Sequence, residues 1–312
     1  MAIPVIFDCD PGQDDAAALL LALASPELDV LGICTVGGNV PLELTTMNAC
    51  KVVELAERTD VPVFAGCQNP LMRPLVTAEY VMGSDGLAGA DLPLPSVAAS
   101  SKHAVDFIVD MLDGAAAPIT IATLGPLTNL ALALIKAPRI RARIGKLVIM
   151  GGSMHRGNIV PQAEYNFYVD PHAAQIVLNA GLNPVVIGLD VTHQVVNTVE
   201  RIERLAARGG RAATAVAKMF MPHAIIQQGL PPDSKPRGLM HDPCVTAYLI
   251  APSIFGGRDV HMAVETASEL TVGQSVVDWW GVTRRPANAH VLNQVDVDAF
   301  FALVTERLGR LA

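Results

Sequence analysis

The sequence IPVIFDCDPGQDDAAALLLALA spans residues 3–24. Its first part, Ile3–Phe7, is a short apolar run that predicts a buried β-strand, and the part from Asp14 to Ala24 predicts a helix. Four aspartates stand between and at the edges of these two elements: Asp8, Asp10, Asp14 and Asp15. A strand, an acidic turn and a helix in this order are typical of the first unit of an α/β fold with a parallel sheet.

The same alternation continues along the chain. Further strands are predicted at Val30–Thr35, Val61–Phe64, Ile119–Thr123, Lys146–Met150, Pro184–Leu189, Val260–Val277 and His290–Val295. Helices are predicted at Leu42–Arg58, Ser101–Leu112, Leu127–Ile135, Asp170–Asn179, near 199–228 and at Asp296–Leu308. The pattern predicts an α/β fold, in which one large domain over residues 1–312 has a mostly parallel central sheet flanked by helices. Segments rich in Gly and Pro near 76–100 and 229–240 are predicted to be mobile loops.

Composition excludes several classes of protein. The 312 residues are 51% hydrophobic and 17% charged, which is too apolar for a disordered chain. The net charge of −8 argues against a nucleic-acid partner, which needs a basic surface. The start of the chain lacks a basic region, and the apolar run Ala16–Ala24 is too short to cross a bilayer, so we expect a cytoplasmic protein without a membrane partner. The five cysteines include no CxxC pair, which favours buried thiols over a zinc or disulfide framework.

The acidic turn predicts a metal site. Four carboxylates within eight residues repel one another unless a cation gathers them, although Asp14 and Asp15 could merely favour the start of a helix. Carboxylate oxygens without nearby Cys or His suit Ca²⁺ or Mg²⁺ rather than Zn²⁺. Asp10 at the strand end and Asp15 at the helix start can converge on one ion, which leaves Asp14 to face a substrate.

Other strand ends are polar as well. The fifth predicted strand is followed by two glycines and then by Asn158, Glu164 and Asn166, which could bind the hydroxyls of a sugar or be ordinary loop residues. On a strand, Glu164 and Asn166 would face the same side. Far along the chain, Pro243 fits the first turn of a helix with Asp242 as its N-cap. His241 before them is either a solvated loop histidine or part of a site.

Taken together, these motifs resemble the inosine–uridine-preferring nucleoside hydrolases over nearly the whole chain. The motifs are DCDPGQDD at 8–15, GGN at 37–39, GPLTN at 125–129, MGG at 150–152, EYN at 164–166 and HDP at 241–243. The resemblance implies a Rossmann-like nucleoside hydrolase fold and an N-ribohydrolase, a glycosidase that splits ribonucleosides into base and ribose with a bound Ca²⁺. It also implies a role in nucleoside salvage or catabolism and a homo-oligomer, either a dimer or a tetramer.

The resemblance also implies roles for individual residues. The calcium ligands would be Asp10, Asp15, Asp242 and the backbone carbonyl of Leu124. The ribose would meet Asp14, Asn158, Glu164 and Asn166, with Asn39 beside the metal and Met150 lining the pocket. Asp10 would act as general base, and His241 would protonate the leaving base. Members of the family usually carry a histidine where this chain has Met82, so Met82 and His241 define a base pocket whose preference for purine or pyrimidine stays open.

Two other functions are compatible with parts of this pattern. A phosphatase of the haloacid dehalogenase type also begins with a strand followed by DxD, but Asp14 and Asp15 do not belong to that motif. A calcium-dependent protein that binds nucleosides without hydrolysing them would have the same ribose site. Activity on sugar phosphates would favour the first alternative, and an intact site without turnover would favour the second.

Overall fold

The computed structural model describes residues 2–87, 89–231, 234–235 and 238–311. The nine strands found in these residues are β1 Ile3–Cys9, β2 Leu28–Thr35, β3 Val63–Ala65, β4 Ile119–Thr123, β5 Ile144–Met150, β6 Val185–Ile187, β7 Phe255–Val264, β8 Ser275–Asp278 and β9 Ala289–Val295. The α-helices in the same residues are α1 Gln13–Leu23, α2 Leu42–Leu55, α3 Glu79–Met82, α4 Ala104–Gly114, α5 Thr128–Lys136, α6 Tyr165–Val169, α7 Pro171–Leu178, α8 Leu189–Thr192, α9 Val199–Ala206, α10 Arg211–Gln228, α11 Pro243–Ile250 and α12 Val297–Leu308.

The strands form one sheet in the order β3-β2-β1-β4-β5-β6-β9-β7-β8. Every pair from β3 to β9 is parallel, whereas β7 runs antiparallel to β9 and β8 runs antiparallel to β7. The predicted fold class, a mostly parallel sheet flanked by helices, is therefore confirmed. The antiparallel strands form one end of the sheet, where no crossover helix is needed.

Helix α1 lies at the centre of the molecule. All eleven of its residues are buried, and it packs against α2, α10, α11 and α12. A helix that is apolar all round can only be stable inside a protein, which is why its alanines and leucines show no polar face. The apolar run Ala16–Ala24 was predicted to be too short to cross a membrane. Among the described residues, we find no helix with the length and hydropathy that crossing a membrane requires.

Several local predictions need correction. The late strand predicted over Val260–Val277 is two strands, β7 and β8, because the segment between them turns back at Gly273, which has a positive φ. The helix predicted near 199–228 is interrupted between α9 and α10 by Gly209 and Gly210, both with positive φ. Such a backbone conformation ends a helix and costs glycine little.

The short helices α3, α6 and α8 were not predicted, because four or five residues are too few to show a helical period. Helix α3 lies within the first predicted mobile loop. The second, near 229–240, includes residues 232–233 and 236–237, which lie outside the described part of the chain. Mobility of both loops stays a prediction. The cysteines are all free thiols, and four of them are buried, as the composition indicated.

The order of the strands creates a topological switch point in the sheet, between β1 and β4. Strands β1 and β4 are neighbours, but the chain leaves β1 towards β2 on one side and leaves β4 towards β5 on the other. At such a switch point the loops after the two strands separate and leave a crevice at the carboxyl edge of the sheet. Asp10 follows β1 and Leu124 follows β4, so both lie at this crevice.

Candidate functional site

A cavity of about 140 Å³, open to solvent on one side, lies at this carboxyl edge. Eleven of the twelve residues predicted for the site line it, namely Asp10, Asp14, Asn39, Met82, Leu124, Met150, Asn158, Glu164, Asn166, His241 and Asp242. The twelfth, Asp15, is fully buried and accepts a hydrogen bond from the backbone N–H of Asp10 at 3.1 Å. The fold thus brings together residues that are dispersed over more than two thirds of the chain.

Three buried carboxyl groups lie close together at the cavity. Asp10, Asp15 and Asp242 are each at most 5% exposed. The side chain of Asp15 lies close enough to those of Asp10 and Asp242 to share a proton with either. Asp242 occupies the N-cap position of α11, as predicted, but its side chain makes no capping hydrogen bond. Its carboxyl group turns towards Asp15 instead, so its place in the site outweighs its capping role.

Backbone and side-chain amides orient this acidic cluster. The N–H of Asn39 donates to Oδ2 of Asp10 at 2.8 Å, and its side-chain Nδ2 donates to the Asp10 carbonyl oxygen and to Oδ2 of Asp15. Glycines enclose Asp10 on two sides, because a Cβ at Gly38 would lie 2.0 Å from its Oδ2 and one at Gly125 would lie 2.3 Å from its Oδ1. The Gly-Gly-Asn and Gly-Pro-Leu-Thr-Asn motifs therefore leave the space that the Asp10 carboxylate fills.

The electrostatics of the cluster fit a bound cation. Burial raises the pKa of Asp10 and Asp242 well above the usual value, and the nearby charge of Asp15 raises both further. Burial also raises the pKa of Asp15. Two carboxylates in contact require either a shared proton or a cation between them, because their buried charges repel. The donors are all oxygens, which is the ligand set that Ca²⁺ prefers.

The carbonyl of Leu124 completes this donor set. It accepts a hydrogen bond from Nδ2 of Asn166 at 2.6 Å, and a carbonyl oxygen has a second lone pair for another partner. In the described residues, however, no three His, Cys, Asp or Glu side chains have the spacing of a formed metal site. The carboxyl groups here contact one another, so an ion would have to part them. The residues therefore fit a hard cation in chemistry and in charge.

One wall of the cavity presents Glu164 and Asn166. They do not lie on a strand, where their two-residue spacing would have placed them on the same side. Glu164 is the N-cap of α6, where its carboxylate accepts the N–H groups of Asn166, Phe167 and Gly152 at 2.9–3.2 Å. A helix start needs such acceptors, which explains the departure from the strand. Burial raises the pKa of Glu164 to about 7.

The amide of Asn166 links the carboxyl ends of β4 and β5. Its Nδ2 reaches the carbonyl of Met150 at 3.2 Å in addition to that of Leu124. Nearby, Oδ1 of Asn158 is buried and has no hydrogen-bond partner in the described part of the chain. An orphaned acceptor facing a cavity is usually satisfied by a ligand or by water. Asn158, Glu164 and Asn166, three of the side chains predicted to bind ribose, thus line the cavity, and the side chain of Asn158 has an acceptor to spare.

Asp14 and His241 also line the cavity. Oδ2 of Asp14 accepts the backbone N–H of His241 at 3.0 Å, which ties α1 to the start of α11. Burial raises the pKa of Asp14 to about 7. The ring of His241 lies in the cavity wall, and its Nδ1 is 2.7 Å from Oγ1 of Thr192. Burial lowers the pKa of His241 to about 3, with smaller contributions from His193 and Lys235, so its ring is neutral at pH 7.

The cavity is also lined by residues that were not predicted for the site. They include Gln13, Tyr80, Val81, Tyr165, His193, Phe220, His223 and Lys235. Met82 lies close to the acidic turn, since its Sδ would be 3.3 Å from a Cβ at Gly12. These additional lining residues could not be predicted from the sequence, because no local pattern shows which loops and helices will face the crevice.

Asp8 departs from the other three aspartates of the motif. It does not line the cavity, and its Oδ1 accepts a hydrogen bond from Nδ2 of Asn129 at 2.8 Å. Asn129 also donates to the carbonyl of Thr35 and accepts the N–H of Cys67. Asp8 therefore belongs to a buried network beneath the site that ties β1 to α5, and only Asp10, Asp14 and Asp15 of the motif form the site itself.

The chain is similar to known proteins over nearly its whole length. A family model described as inosine-uridine preferring nucleoside hydrolase matches residues 5–302. The chain is 43% identical over 315 aligned residues to the pyrimidine-specific ribonucleoside hydrolase RihA of Salmonella agona, covering 99% of each chain. A solved plant nucleoside hydrolase superposes with a TM-score of 0.88 at 31% identity, covering 97% of this chain and 98% of that one. A purine-preferring ribonucleoside hydrolase from Gardnerella vaginalis gives 0.89 at 29% identity, with 98% of each chain covered.

Proposed function

Because the chain belongs to the inosine–uridine preferring nucleoside hydrolase family, we propose that it hydrolyses the N-glycosidic bond of ribonucleosides with the help of Ca²⁺ and releases base and ribose. The observation that carries this proposal is the cavity at the switch point, where three buried acids lie under a wall of amide and carboxylate groups. The family match over residues 5–302 argues against the phosphatase alternative. The cytoplasmic location, the role in salvage and the dimeric or tetrameric state stay predictions.

The chain's own residues suit the chemistry of this reaction. Breaking a ribosyl C–N bond builds positive charge on the sugar, and carboxylates close to the sugar stabilise that charge. Asp14 and Glu164 both line the cavity and are proposed to act in this way. Asp10 would accept the proton of the attacking water at Oδ1, because its Oδ2 is held by the N–H of Asn39. His241 would assist the departure of the base.

The proposed ion would be held by Asp10, Asp15, Asp242 and the carbonyl of Leu124. When bound, Ca²⁺ would supply a Lewis acid that makes a nearby water more acidic. It would also balance the buried charge of three carboxylates that otherwise need protons to stay in contact.

A panel of nucleosides tests the function. We expect wild-type protein to release free ribose from at least one of inosine, adenosine, guanosine, uridine and cytidine. We also propose a preference for uridine and cytidine, since the 43% identical relative is described as pyrimidine-specific and the purine-preferring relative is only 29% identical. Tight binding of nucleosides without any release of ribose would instead support the non-catalytic alternative.

Elemental analysis tests the metal. We expect about one Ca²⁺ per chain in purified protein, since the donor set consists of oxygens alone. Removing it with a chelator should abolish ribose release and lower the thermal midpoint, because the buried carboxylates lose their counter-charge. Added Ca²⁺ should restore both. Stoichiometric zinc with little calcium would contradict the assignment.

A further inference from the structure

Thr192 is a buried residue at the end of α8 whose hydroxyl contacts the ring of His241. The distance between Oγ1 of Thr192 and Nδ1 of His241 is 2.7 Å, and Thr192 is 0% exposed. Within the described part of the chain, Oγ1 makes no other hydrogen bond. One contact therefore has to satisfy both the hydroxyl and the ring nitrogen, and its direction decides which nitrogen of the ring carries the hydrogen.

Only one direction satisfies both groups. If Nδ1 carried a hydrogen, it would donate to Oγ1, and the hydroxyl hydrogen of Thr192 would be buried without an acceptor among the described residues. If Nδ1 is unprotonated, the hydroxyl donates to it and both atoms are paired. Leaving a buried donor unpaired costs more free energy than one hydrogen bond contributes. The arrangement in which the hydroxyl donates to Nδ1 is therefore favoured. The hydrogen of the neutral ring is then on Nε2.

The other side of the ring faces the cavity. His241 is part of the cavity wall, and its Nε2 has no hydrogen-bond partner among the residues that the structure describes. We propose that Thr192 is a positioning residue that holds the neutral ring of His241 with its hydrogen on Nε2, so that His241 meets the base of a bound nucleoside as a hydrogen-bond donor. The inference rests on the proposed function and refines the role of His241 within it.

A neutral donor is sufficient for the reaction. The C–N bond breaks with its electron pair going to the base, the oxygen of water bonds to the ribose carbon, and the proton of that water goes to Asp10. The Nε2–H group stabilises the negative charge that develops on an oxygen or nitrogen of the base, and the free base then takes its proton from solvent. A preorganised neutral donor of this kind stabilises charge that appears only in the transition state.

Matched threonine variants test the positioning role. Thr192→Val keeps the shape and removes the hydroxyl, Thr192→Ser keeps the hydroxyl, and Thr246→Val removes another buried hydroxyl, which donates to the carbonyl of Ala18. We expect Thr192→Val to lower kcat for uridine and inosine by about 10-fold, the low end of what losing a partner that orients a histidine costs. Hydrolysis of p-nitrophenyl riboside, whose leaving phenolate needs no donor, should stay within about 3-fold of wild type.

The two other variants give the control. Thr192→Ser should restore nucleoside hydrolysis to within about 3-fold of wild type, since the donor is present again. Thr246→Val is expected to lower the thermal midpoint while leaving the ratio of nucleoside to p-nitrophenyl riboside rates unchanged. Equal losses on all substrates for Thr192→Val, or failure of Thr192→Ser to restore the ratio, would overturn the inference.

Nitrogen NMR of wild-type protein tests the inference without any variant. With ¹⁵N-labelled histidine, assigned by comparison with His241→Ala, Nδ1 of His241 should show the shift of an unprotonated nitrogen at pH 7 and Nε2 that of a protonated one. Hydrogen on Nδ1 in the wild type would overturn the positioning role even if nucleosides are hydrolysed. Absence of ribose release from every nucleoside, together with hydrogen on Nε2, would refute the proposed function while the assigned ring state held.

Discussion

Asp10→Asn is expected to lower kcat for nucleoside hydrolysis by about 10³-fold or more, with the fold intact. The change removes a proposed metal ligand and the proposed general base together, and the contribution of a general base alone is roughly 10²–10⁴-fold. Asparagine has the same size as aspartate, so it still fills the space between Gly38 and Gly125. Ribose release from the preferred nucleoside measures the effect, and circular dichroism checks the fold.

Calcium dependence separates the two roles of Asp10. If the loss came only from weaker ion binding, a large excess of Ca²⁺ would restore activity, whereas loss of the base is not restored. We expect Asp10→Asn to stay inactive at saturating Ca²⁺. Asp29→Asn provides the matched control, because Asp29 is an exposed carboxylate near the start of β2, at the opposite edge of the sheet. A kcat for Asp10→Asn within about 5-fold of wild type would remove Asp10 from the mechanism.

His241→Ala is expected to lower kcat for nucleosides by roughly 10²-fold, which is the usual size of a lost group that assists a leaving group. The loss should appear mainly in kcat, since the charge on the base develops only in the transition state. Hydrolysis of p-nitrophenyl riboside should be nearly unaffected, because its phenolate leaves without help. The ratio of the two rates therefore reports on His241 itself rather than on damage to the cavity.

A histidine far from the cavity gives the comparison. His261 lies on β7 and does not line the cavity, so His261→Ala should leave both rates unchanged. If His241→Ala slowed nucleosides and p-nitrophenyl riboside equally, the side chain of His241 would be structural, acting through its neighbour Asp242. In that case His193 and His223, which also line the cavity, would be the next candidates for a donor to the base.

The central elements of the fold could be predicted from the sequence. Strand β4 has the predicted bounds, Ile119–Thr123, and α1 is within one residue of its prediction at each end. These elements are buried on all sides, so their sequences are continuous apolar runs with abrupt polar ends. The late strands and the short helices α3, α6 and α8 could not be predicted, because their bounds depend on caps and turns made with distant residues.

The sequence also predicted a set of residues that the fold brings together, partly from polar residues at the carboxyl ends of strands and partly from the resemblance to a family. Eleven of these twelve residues line the cavity, and the twelfth, Asp15, contacts Asp10, Asn39 and Asp242. The separation of Asp8 from the other aspartates was not readable. Its partner Asn129 lies 121 positions away, on a helix that follows a different strand.

The sequence by itself determined the class of fold, the acidic motif and the set of polar strand ends, since each of these is a property of a short stretch of chain. Only the tertiary structure decided how these stretches meet. The bond between Asp14 and His241 joins residues 227 positions apart, and the bond between Thr192 and His241 joins residues 49 apart. Such contacts depend on the order of the strands and on the packing of α1, α8 and α11 around the switch point. The direction of a single hydrogen bond there sets the state of the histidine ring, and no local pattern in the sequence encodes that direction.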